Sequence, residues 1–256
     1  MLLTRLKGRL RRDPPRDEAR VPADTLVYAV GDIHGRADLL QRLQDRIAAD
    51  AAPMPESRRV LIYLGDYIDR GLDSRHVLEL LLERTMPGFE TVHLAGNHDA
   101  WLLAFLEDPA AGPQWLENGG RATLYSYGVG APTAAAAGPA EMADLRDRLA
   151  ARLPERHRTF LAGLAYQHVE GDYLFVHAGI RPGVPPEAQD TEDLLWIRDP
   201  FLASRADFGA TVVHGHSVVS APEVHDNRIA VDTGAYATGQ LTALRLRGSE
   251  RDFLTA

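Results

Sequence analysis

The chain has 256 residues, of which 45% are hydrophobic and 25% are charged, a composition typical of a globular protein large enough to fold around its own core. It contains no cysteine, which excludes disulfides, zinc–thiolate sites and cysteine nucleophiles, so that any metal ion has to bind oxygen and imidazole ligands. The formal net charge of -8 argues against a nucleic-acid partner, and no apolar run reaches the ~20 residues of a membrane-spanning helix, so we expect a cytoplasmic protein without stable membrane insertion.

The amino-terminal segment is basic and contains scattered leucines over residues 1–12. A signal peptide would need an unbroken apolar stretch, and basic residues at positions 5, 7 and 9 interrupt it. A basic arm that touches an anionic membrane is an alternative, but two prolines and mixed charges follow at once and favour a frayed tail. We therefore predict a basic, disordered tail over residues 1–24 and one folded domain over residues 25–256.

Three apolar runs, each followed by a helical or polar segment, predict a β-α-β-α-β unit. The runs cover residues 26–30, 60–64 and 89–94. The first helix is predicted over residues 37–49, where four apolar side chains fall on one face, and the second begins at Ser74. This order of elements predicts parallel strands with right-handed crossovers.

The rest of the chain first becomes helical and then returns to strands. Residues 100–164 combine helical patterns with a break at Gly119-Gly120 and an alanine-rich tract, which predicts a mostly helical insertion over the strand ends with one mobile loop. Strand patterns follow at residues 173–176, 211–213, 228–231 and 241–246. The predicted fold class is therefore α+β: an α/β/β/α sandwich of two stacked mixed β-sheets flanked by helices.

Polar side chains of a few types occur where these strands stop. In chain order they are Asp32 and His34, then Asp66, Asp69 and Arg70, then Asn97 and His98, and finally His177 and His216. Because the ends of adjacent strands lie together, we expect these carboxylates, imidazoles and the amide to meet. Such a set is what a two-metal hydrolase needs.

Counting donor atoms divides this set into two metal sites. One site comprises Asp32, His34 and Asp66, and the other comprises Asp66, Asn97, His177 and His216, with Asp66 as the bridge. Oxygen and nitrogen ligands without sulfur suit Mn²⁺, which we expect, with Fe or Zn²⁺ as alternatives. Two ions ~3.5–4 Å apart would share a water, lower its pKa and direct it at phosphorus.

The remaining strand-end residues suit the leaving group and the phosphate. His98 lies beside the predicted metals, and Asp69 would hold its ring and favour the protonated form, as in a general acid pair. The guanidinium groups of Arg70 and Arg198 match phosphate oxygens, and Asn97 is a further predicted contact of the phosphate.

Other polar and aromatic residues are predicted to have structural roles. His214 is either a ligand or a residue behind the ligands, and we favour the second; Asp232 is expected to support the site or a turn. Three histidines are predicted at the surface, namely His76, His157 and His225. The tryptophans Trp101, Trp115 and Trp196 are interpreted as packing residues.

These motifs resemble those of the metallophosphoesterase superfamily, and more narrowly its phosphoprotein phosphatase branch. The resemblance rests on residues 31–35, 65–71, 96–99, 177–179 and 215–216, which occur in the order of the family. It implies two stacked mixed sheets flanked by helices, the metal ligands given above, and an acid pair of His98 with Asp69. Arg70 and Arg198 resemble the phosphate clamps of the family.

Two features resemble bacterial members of the branch. Asp99 stands where eukaryotic members usually have Glu, and the insertion with a short carboxyl terminus is similar to the bacterial forms. The resemblance therefore implies a serine/threonine protein phosphatase that acts on phosphorylated proteins or small phosphoesters. The alternative is a dinucleoside polyphosphate hydrolase, of the diadenosine tetraphosphate type, in which Trp101, Trp115, Arg121 and Tyr125 could contact a base. A non-catalytic binding protein would be favoured by a missing ligand, and none is missing.

Overall fold

The computed structural model describes residues 18–130 and 138–256, which form two five-stranded β-sheets. The first sheet has the order β10 (Glu250–Thr255), β9 (Thr242–Arg247), β1 (Thr25–Val30), β2 (Arg58–Tyr63) and β3 (Glu90–His93). The second has the order β4 (Gln167–Glu170), β5 (Tyr173–Val176), β6 (Thr211–His214), β8 (Arg228–Ala230) and β7 (Glu223–Val224). Each sheet contains both parallel and antiparallel pairs, so both are mixed as predicted.

The predicted β-α-β-α-β unit is confirmed. β1, β2 and β3 are parallel neighbours, connected through α1 (Ala37–Ala51) and α2 (Ser74–Glu83). Helix α1 buries Leu39, Leu40, Leu43 and Ile47 completely, because their spacing places all four on the face toward the sheet.

Alternating side chains along the strands account for the stacking of the two sheets. In β1, Leu26, Tyr28 and Val30 belong to the core between the first sheet and its helices. Val27 and Ala29 point the other way and pack against residues of the second sheet, including Tyr173, Phe175, Val213 and Ile229. The outer face of the second sheet is covered by α8 (Thr191–Trp196) and α9 (Asp199–Leu202). This is the predicted α/β/β/α sandwich.

The insertion, which lies between β3 and β4 in the chain, is helical, as predicted. It consists of α3 (Asn97–Glu107), a 3₁₀ turn (Pro109–Ala111), α4 (Gly112–Trp115), a π-helical turn (Leu116–Gly120), α5 (Arg121–Ser126), α6 (Pro139–Ala150) and α7 (Glu155–Ala162). The predicted mobile loop falls largely on residues outside those described. A further 3₁₀ turn (Pro186–Ala188) precedes α8, and α10 (Ala235–Thr238) precedes β9.

The structure corrects the predicted strands near the carboxyl terminus. β9 was expected to end the chain in the second sheet, but it pairs with β1 in the first sheet and is followed by β10. β7 and β10 were not predicted, because they are polar edge strands without apolar alternation. Sheet order depends on contacts between distant segments, which the local pattern of β9 does not contain.

The end of the predicted tail is packed against the domain. Ala19 and Val21 are buried, and the amide of Val21 donates to the Gly248 carbonyl at 3.1 Å. Asp172 accepts from the Arg20 amide at 2.9 Å, which ties this segment to the second sheet. The folded part therefore begins before Thr25, and residues 1–17 lie outside the described part of the chain.

Two other observations bear on the sequence predictions. None of the helices within residues 18–130 and 138–256 has the length and apolar character needed to cross a membrane. His157, predicted at the surface, is completely buried, and its Nδ1 lies 2.7 Å from the Tyr127 hydroxyl. The prediction was wrong because α7 turns this side chain toward Tyr127 at the end of α5, a contact that the sequence of α7 does not reveal.

Candidate metal centre

The strand-end residues lie together where the parallel strands β1, β2, β5 and β6 stop. Several of them have left-handed backbone conformations, with φ of 45° at His34, 52° at Asp66, 70° at Asp69, 66° at Arg70 and 60° at His216. Side-chain-bearing residues seldom adopt such angles, and surrounding contacts have to offset the cost. The amides of Ile33 and His34 provide such contacts, since both donate to the Asp66 carbonyl, at 3.1 and 2.8 Å.

Three buried aspartates form the centre of this cluster. Asp32, Asp66 and Asp232 are at most 2% exposed. Burial raises the pKa of all three, and the charges of Asp232 and Asp66 raise the pKa of Asp32 further. The pKa of Asp232 is raised to about 6, with burial as its main cause. Carboxylates this close repel one another when ionised, and a divalent cation among them would remove that cost.

His34 directs one ring nitrogen at the cluster. Its Nδ1 donates to the Ile68 carbonyl at 2.8 Å, so the neutral ring has its lone pair on Nε2. That Nε2 is buried without a hydrogen-bond partner among the described residues and lies 3.4 Å from Asp66 Oδ2. Because a nitrogen lone pair and a carboxylate oxygen repel each other, their facing arrangement fits a cation bound between them.

The same argument applies to Asn97 and His177, next to which His216 lies. His177 Nδ1 donates to the Leu64 carbonyl at 2.9 Å, which leaves the lone pair on Nε2. Asn97 Oδ1 lies 2.9 Å from this Nε2 and 2.9 Å from His216 Nδ1, and Asp66 Oδ1 lies 3.6 Å from the His177 Nε2. Burial lowers the pKa of His177, and that of His216 to about 3, so both rings stay neutral. Asn97 Oδ1 and His177 Nε2 are thus two acceptor atoms that face each other at 2.9 Å, which fits a cation bound to both.

The donor atoms divide into two groups that share Asp66. Within each group all atoms lie within 4.8 Å of one another, and the groups are His34, Asp66 and His98, and Asp66, His177 and His216. The second group contains three of the four predicted ligands, with Asn97 beside it. The first contains two of its three predicted ligands together with His98; the third, Asp32, has both carboxylate oxygens 3.2 Å from the His216 amide nitrogen. The donors are oxygen and nitrogen without sulfur, which fits Mn²⁺, Fe or Zn²⁺.

His98 and Asp69 form a buried pair beside this cluster. His98 Nδ1 donates to Asp69 Oδ2 at 2.8 Å. The same carboxylate accepts from Trp115 Nε1 at 2.9 Å and from Thr123 Oγ1 at 2.6 Å. The sequence analysis assigned Trp115 to packing and did not single out Thr123. Both come from the insertion, 46 and 54 residues away along the chain, and no local pattern reveals the contact.

The two predicted phosphate-binding arginines border the cluster. Arg70 Nη2 lies 3.1 Å from His98 Nε2, and its Cζ lies 4.8 Å from the centre of the Tyr236 ring. Arg198 is exposed and donates to Ser217 Oγ at 3.2 Å. Both guanidinium groups therefore lie next to the proposed metal ligands.

Asp99 connects the two loops that carry the central ligands, a role that the sequence analysis did not identify. Its carboxylate accepts from the amides of Asp66 and Gly96, both at 2.9 Å, and from that of Tyr67 at 3.1 Å. Gly96 is needed here because a Cβ would lie 2.1 Å from Asp66 Oδ1. Asp99 thus fixes Asp66 against the first turn of α3.

The π-helical turn of the insertion holds the backbone of Arg70. The Arg70 amide donates to the Gly119 carbonyl at 3.2 Å. Gly119 has φ 114°, and a Cβ at this position would lie 2.8 Å from Arg70 Cγ. The glycine pair predicted as a break therefore forms the contact between the insertion and the phosphate-binding loop.

His214 and Asp232, whose roles the sequence left open, lie in different surroundings. His214 packs edge-on against Phe201, with ring centres 5.0 Å apart, and its Nδ1 lies 3.1 Å from the Gly215 carbonyl oxygen. Asp232 Oδ1 accepts from the Gly234 amide at 2.8 Å, and its Oδ2 is buried without a hydrogen-bond partner among the described residues. Asp232 is therefore part of the carboxylate cluster as well as of a turn.

The three tryptophans differ in exposure. Trp115 is completely buried, whereas Trp101 and Trp196 are partly exposed. Their rings meet edge to face with centres 4.6 Å apart, and they adjoin His98 and His216 with ring centres 5.2 and 6.3 Å away. Trp101 and Trp196 thus form an aromatic wall at the cluster.

Comparison with known proteins agrees with this geometry. The profile of the calcineurin-like phosphoesterases matches residues 25–242. An asymmetrical bis(5'-nucleosyl)-tetraphosphatase of Bacillus thuringiensis is 26% identical over 84% of this chain and 88% of its own length. Serine/threonine-protein phosphatase 2 of Salmonella typhimurium is 29% identical over 86% of this chain and 93% of its own length. The crystal structure of a candidate diadenosine tetraphosphatase shares the fold, with a TM-score of 0.59 and 21% identity over 93% of this chain and 98% of that one.

Proposed function

This chain belongs to the calcineurin-like phosphoesterase family, and on that basis we propose that it hydrolyses phosphoesters with two divalent metal ions bound at the Asp66 cluster. The observation that supports this most is the 2.9 Å separation of Asn97 Oδ1 and His177 Nε2, because His177 Nδ1 donates to the Leu64 carbonyl and both facing atoms are therefore acceptors, whose repulsion a cation would offset. His34 and Asp32 would complete the ligand set on the other side of Asp66. We propose Mn²⁺ as the ion, with Fe or Zn²⁺ as alternatives.

The metal ions, when bound, would polarise the phosphoryl group and activate the attacking water. The chain itself supplies the charges that hold the phosphate. Arg70 and Arg198 would bind phosphate oxygens through their guanidinium groups, and the Asn97 amide would contribute a further contact. Both arginines lie at the edge of the aspartate cluster, where they would offset the charge of an incoming phosphate.

His98 is the proposed general acid. Its Nδ1 donates to Asp69, so the ring is held with Nε2 toward the site. In the structure, Arg70 Nη2 lies 3.1 Å from this Nε2. When Arg70 binds a phosphate oxygen instead, Nε2 is released and can carry a proton to the leaving oxygen. Asp69 stabilises the charged ring, and its other donors, Trp115 and Thr123, keep its carboxylate in place.

Two substrate classes fit this reaction. Phosphoserine and phosphothreonine proteins are the first, and the Salmonella phosphatase is a relative with that name. Dinucleoside polyphosphates are the second, and here the partly exposed Trp101 and Trp196 at the site favour a substrate with an aromatic base. The Bacillus relative is named for such a substrate.

A substrate panel on the purified, Mn²⁺-loaded protein tests the proposal and ranks the two classes. We expect metal-dependent hydrolysis of at least one of three compounds: p-nitrophenyl phosphate, a phosphoserine peptide or diadenosine tetraphosphate. If no compound in the panel is hydrolysed with any of the three metals, the proposed function is wrong.

A further inference from the structure

A groove of about 550 Å³ opens beside the metal cluster, between α8 and α9. Trp196 and Arg198 line it and also adjoin the cluster, since the Trp196 ring lies 6.3 Å from that of His216 and Arg198 Nη2 donates to the His216 carbonyl at 3.5 Å. Trp196 and Arg198 therefore belong both to the groove and to the border of the cluster. Its volume lies within the range of ~300–1,000 Å³ that small-molecule sites occupy.

The aromatic wall of the groove has a fixed orientation. Trp196 is braced edge to face by Trp101, with ring centres 4.6 Å apart, and Trp101 is braced in turn by His98 at 5.2 Å. A ring held in this way loses little conformational freedom when a planar group stacks on it. Because His98 is the proposed acid, this wall lies on the side of the leaving group.

Several charged residues line the groove. Arg198 lies at the end next to the cluster. Among the other lining residues, Asp193 is neutralised by Arg181, with two contacts of 2.6 Å, and Asp190 accepts from the Glu192 amide. Glu192 also lines the groove and is exposed, so its carboxylate can accept from a ligand hydroxyl.

We propose that this groove binds a nucleoside whose 5'-phosphate group lies at the metal cluster, with the base stacked on Trp196 and the ribose hydroxyls donating to Glu192. The inference rests on the proposed phosphoester hydrolysis and assigns its substrate class as nucleoside polyphosphates. A guanidinium for phosphate, a carboxylate for the ribose diol and an aromatic face for the base are the three groups that nucleotides require. Here all three line one groove.

A phosphorylated peptide accounts for the groove less well. A basic peptide side chain would pair with Glu192, but a phosphoserine segment gives no reason for two braced tryptophans next to the proposed acid. The nucleoside uses all three groups, and so the structure favours it. Peptide binding remains a distinct outcome of the test.

Binding of adenosine, detected by saturation-transfer NMR, tests the groove independently of catalysis. We expect saturation of the base protons with the native protein and with Trp196→Phe, and its loss with Trp196→Ala. Tyr166→Ala is the matched control, because Tyr166 is 45% exposed and lies outside the groove. Adenosine that does not bind, or that binds Trp196→Ala as well as the native protein, would overturn the proposal.

Glu192→Gln tests the ribose contact on the surface, where loss of folding is not expected. We expect weaker binding of adenosine, by about tenfold for the loss of a hydrogen bond to a charged group, and unchanged binding of 2',3'-dideoxyadenosine. Equal loss for both nucleosides would contradict the ribose assignment.

Kinetics complete the test. The ratio of kcat/KM for diadenosine tetraphosphate to that for nucleoside-free tripolyphosphate should fall by at least about fivefold in Trp196→Ala, the lower limit of base stacking on an aromatic ring, and should not change in Tyr166→Ala. A preference for the phosphoserine peptide that Trp196→Ala leaves intact would assign the site to peptides and overturn the nucleoside proposal. In that case Mn²⁺-dependent hydrolysis would remain, and so the proposed function would stand.

Discussion

At the scale of single residues, the site is defined by which atom of each ring or carboxylate faces inward. Backbone carbonyls accept Nδ1–H from His34 and His177, and this leaves Nε2 of each ring for the cluster. The sequence shows which of these residues follow strands, because strand-end motifs are local. It did not predict Trp115, Thr123 and Asp99, since these act through hydrogen bonds to residues 32 to 54 positions away in the chain.

Replacement of the proposed acid tests the assignment of His98. We expect His98→Asn to lower kcat by about 10²–10⁴, the contribution of general acid catalysis, while the protein still folds. Steady-state kinetics and circular dichroism measure the two effects. His225→Asn is the control, because His225 is an exposed histidine near the surface strand β7. Wild-type turnover in His98→Asn would remove His98 from the mechanism.

A subtler substitution tests the support of Asp69. Thr123→Val keeps the shape of a completely buried side chain but removes the hydroxyl that donates to Asp69 at 2.6 Å. The unsatisfied carboxylate should lower the free energy of unfolding by about 1–3 kcal/mol, measured in urea, and kcat should fall with it. Thr123→Ser retains the hydroxyl and should keep kcat; equal kcat in both variants would show that this contact does not support catalysis.

At the scale of elements, the insertion does more than cover the strand ends. α4 and α5 supply the donors to Asp69, and the π-helical turn between them holds Arg70. Periodicity predicted that residues 100–164 are helical, because each helix carries its own apolar spacing. How this segment contacts the loop after β2 depends on packing between elements, which a local pattern does not encode.

Gly119→Ala tests the contact between the insertion and Arg70. The substitution forces a Cβ to within 2.8 Å of Arg70 Cγ at φ 114°, a strain of about 1–3 kcal/mol. We expect a lower melting temperature and a higher KM for the phosphoester, since Arg70 would shift away from the phosphate. Gly130→Ala is the matched control, because a Cβ there meets nothing within 4 Å. The same KM in both variants would contradict the role of the turn.

At the scale of the whole molecule, two stacked sheets bring ligands from both halves of the chain to one point. The first half supplies Asp32, His34, Asp66 and Asn97, and the second supplies His177 and His216. The continuous apolar run of residues 60–64 is typical of a strand that is covered on both faces. The strand order was not predictable in the same way, as the pairing of β9 with β1 shows, because it joins segments more than 200 residues apart.

The dependence of stability on pH follows from the buried carboxylates. Without metal, the folded pKa of Asp232 is about 6, above its usual value of 3.8. Protonation therefore favours the folded state, and this contribution is lost as pH rises from about 4 through 6. Bound cations replace the protons, so the gain in melting temperature on adding Mn²⁺ should grow as pH rises from 5 to about 7.5. Differential scanning calorimetry measures the melting temperature. In Asp232→Asn, the gain in melting temperature on adding Mn²⁺ should depend less on pH. A gain independent of pH in the native protein would contradict this account.

The central claim is that two cations at the Asp66 cluster carry phosphoester hydrolysis. The most direct test is a titration of EDTA-treated protein with Mn²⁺ while phosphate release is recorded. The account predicts no phosphate release in EDTA and a rate of release that rises with Mn²⁺ until two ions are bound per chain. In Asp66→Asn it predicts no phosphate release at any Mn²⁺ concentration. Hydrolysis that survives removal of the metal, or that Asp66→Asn retains at the native rate, would contradict it.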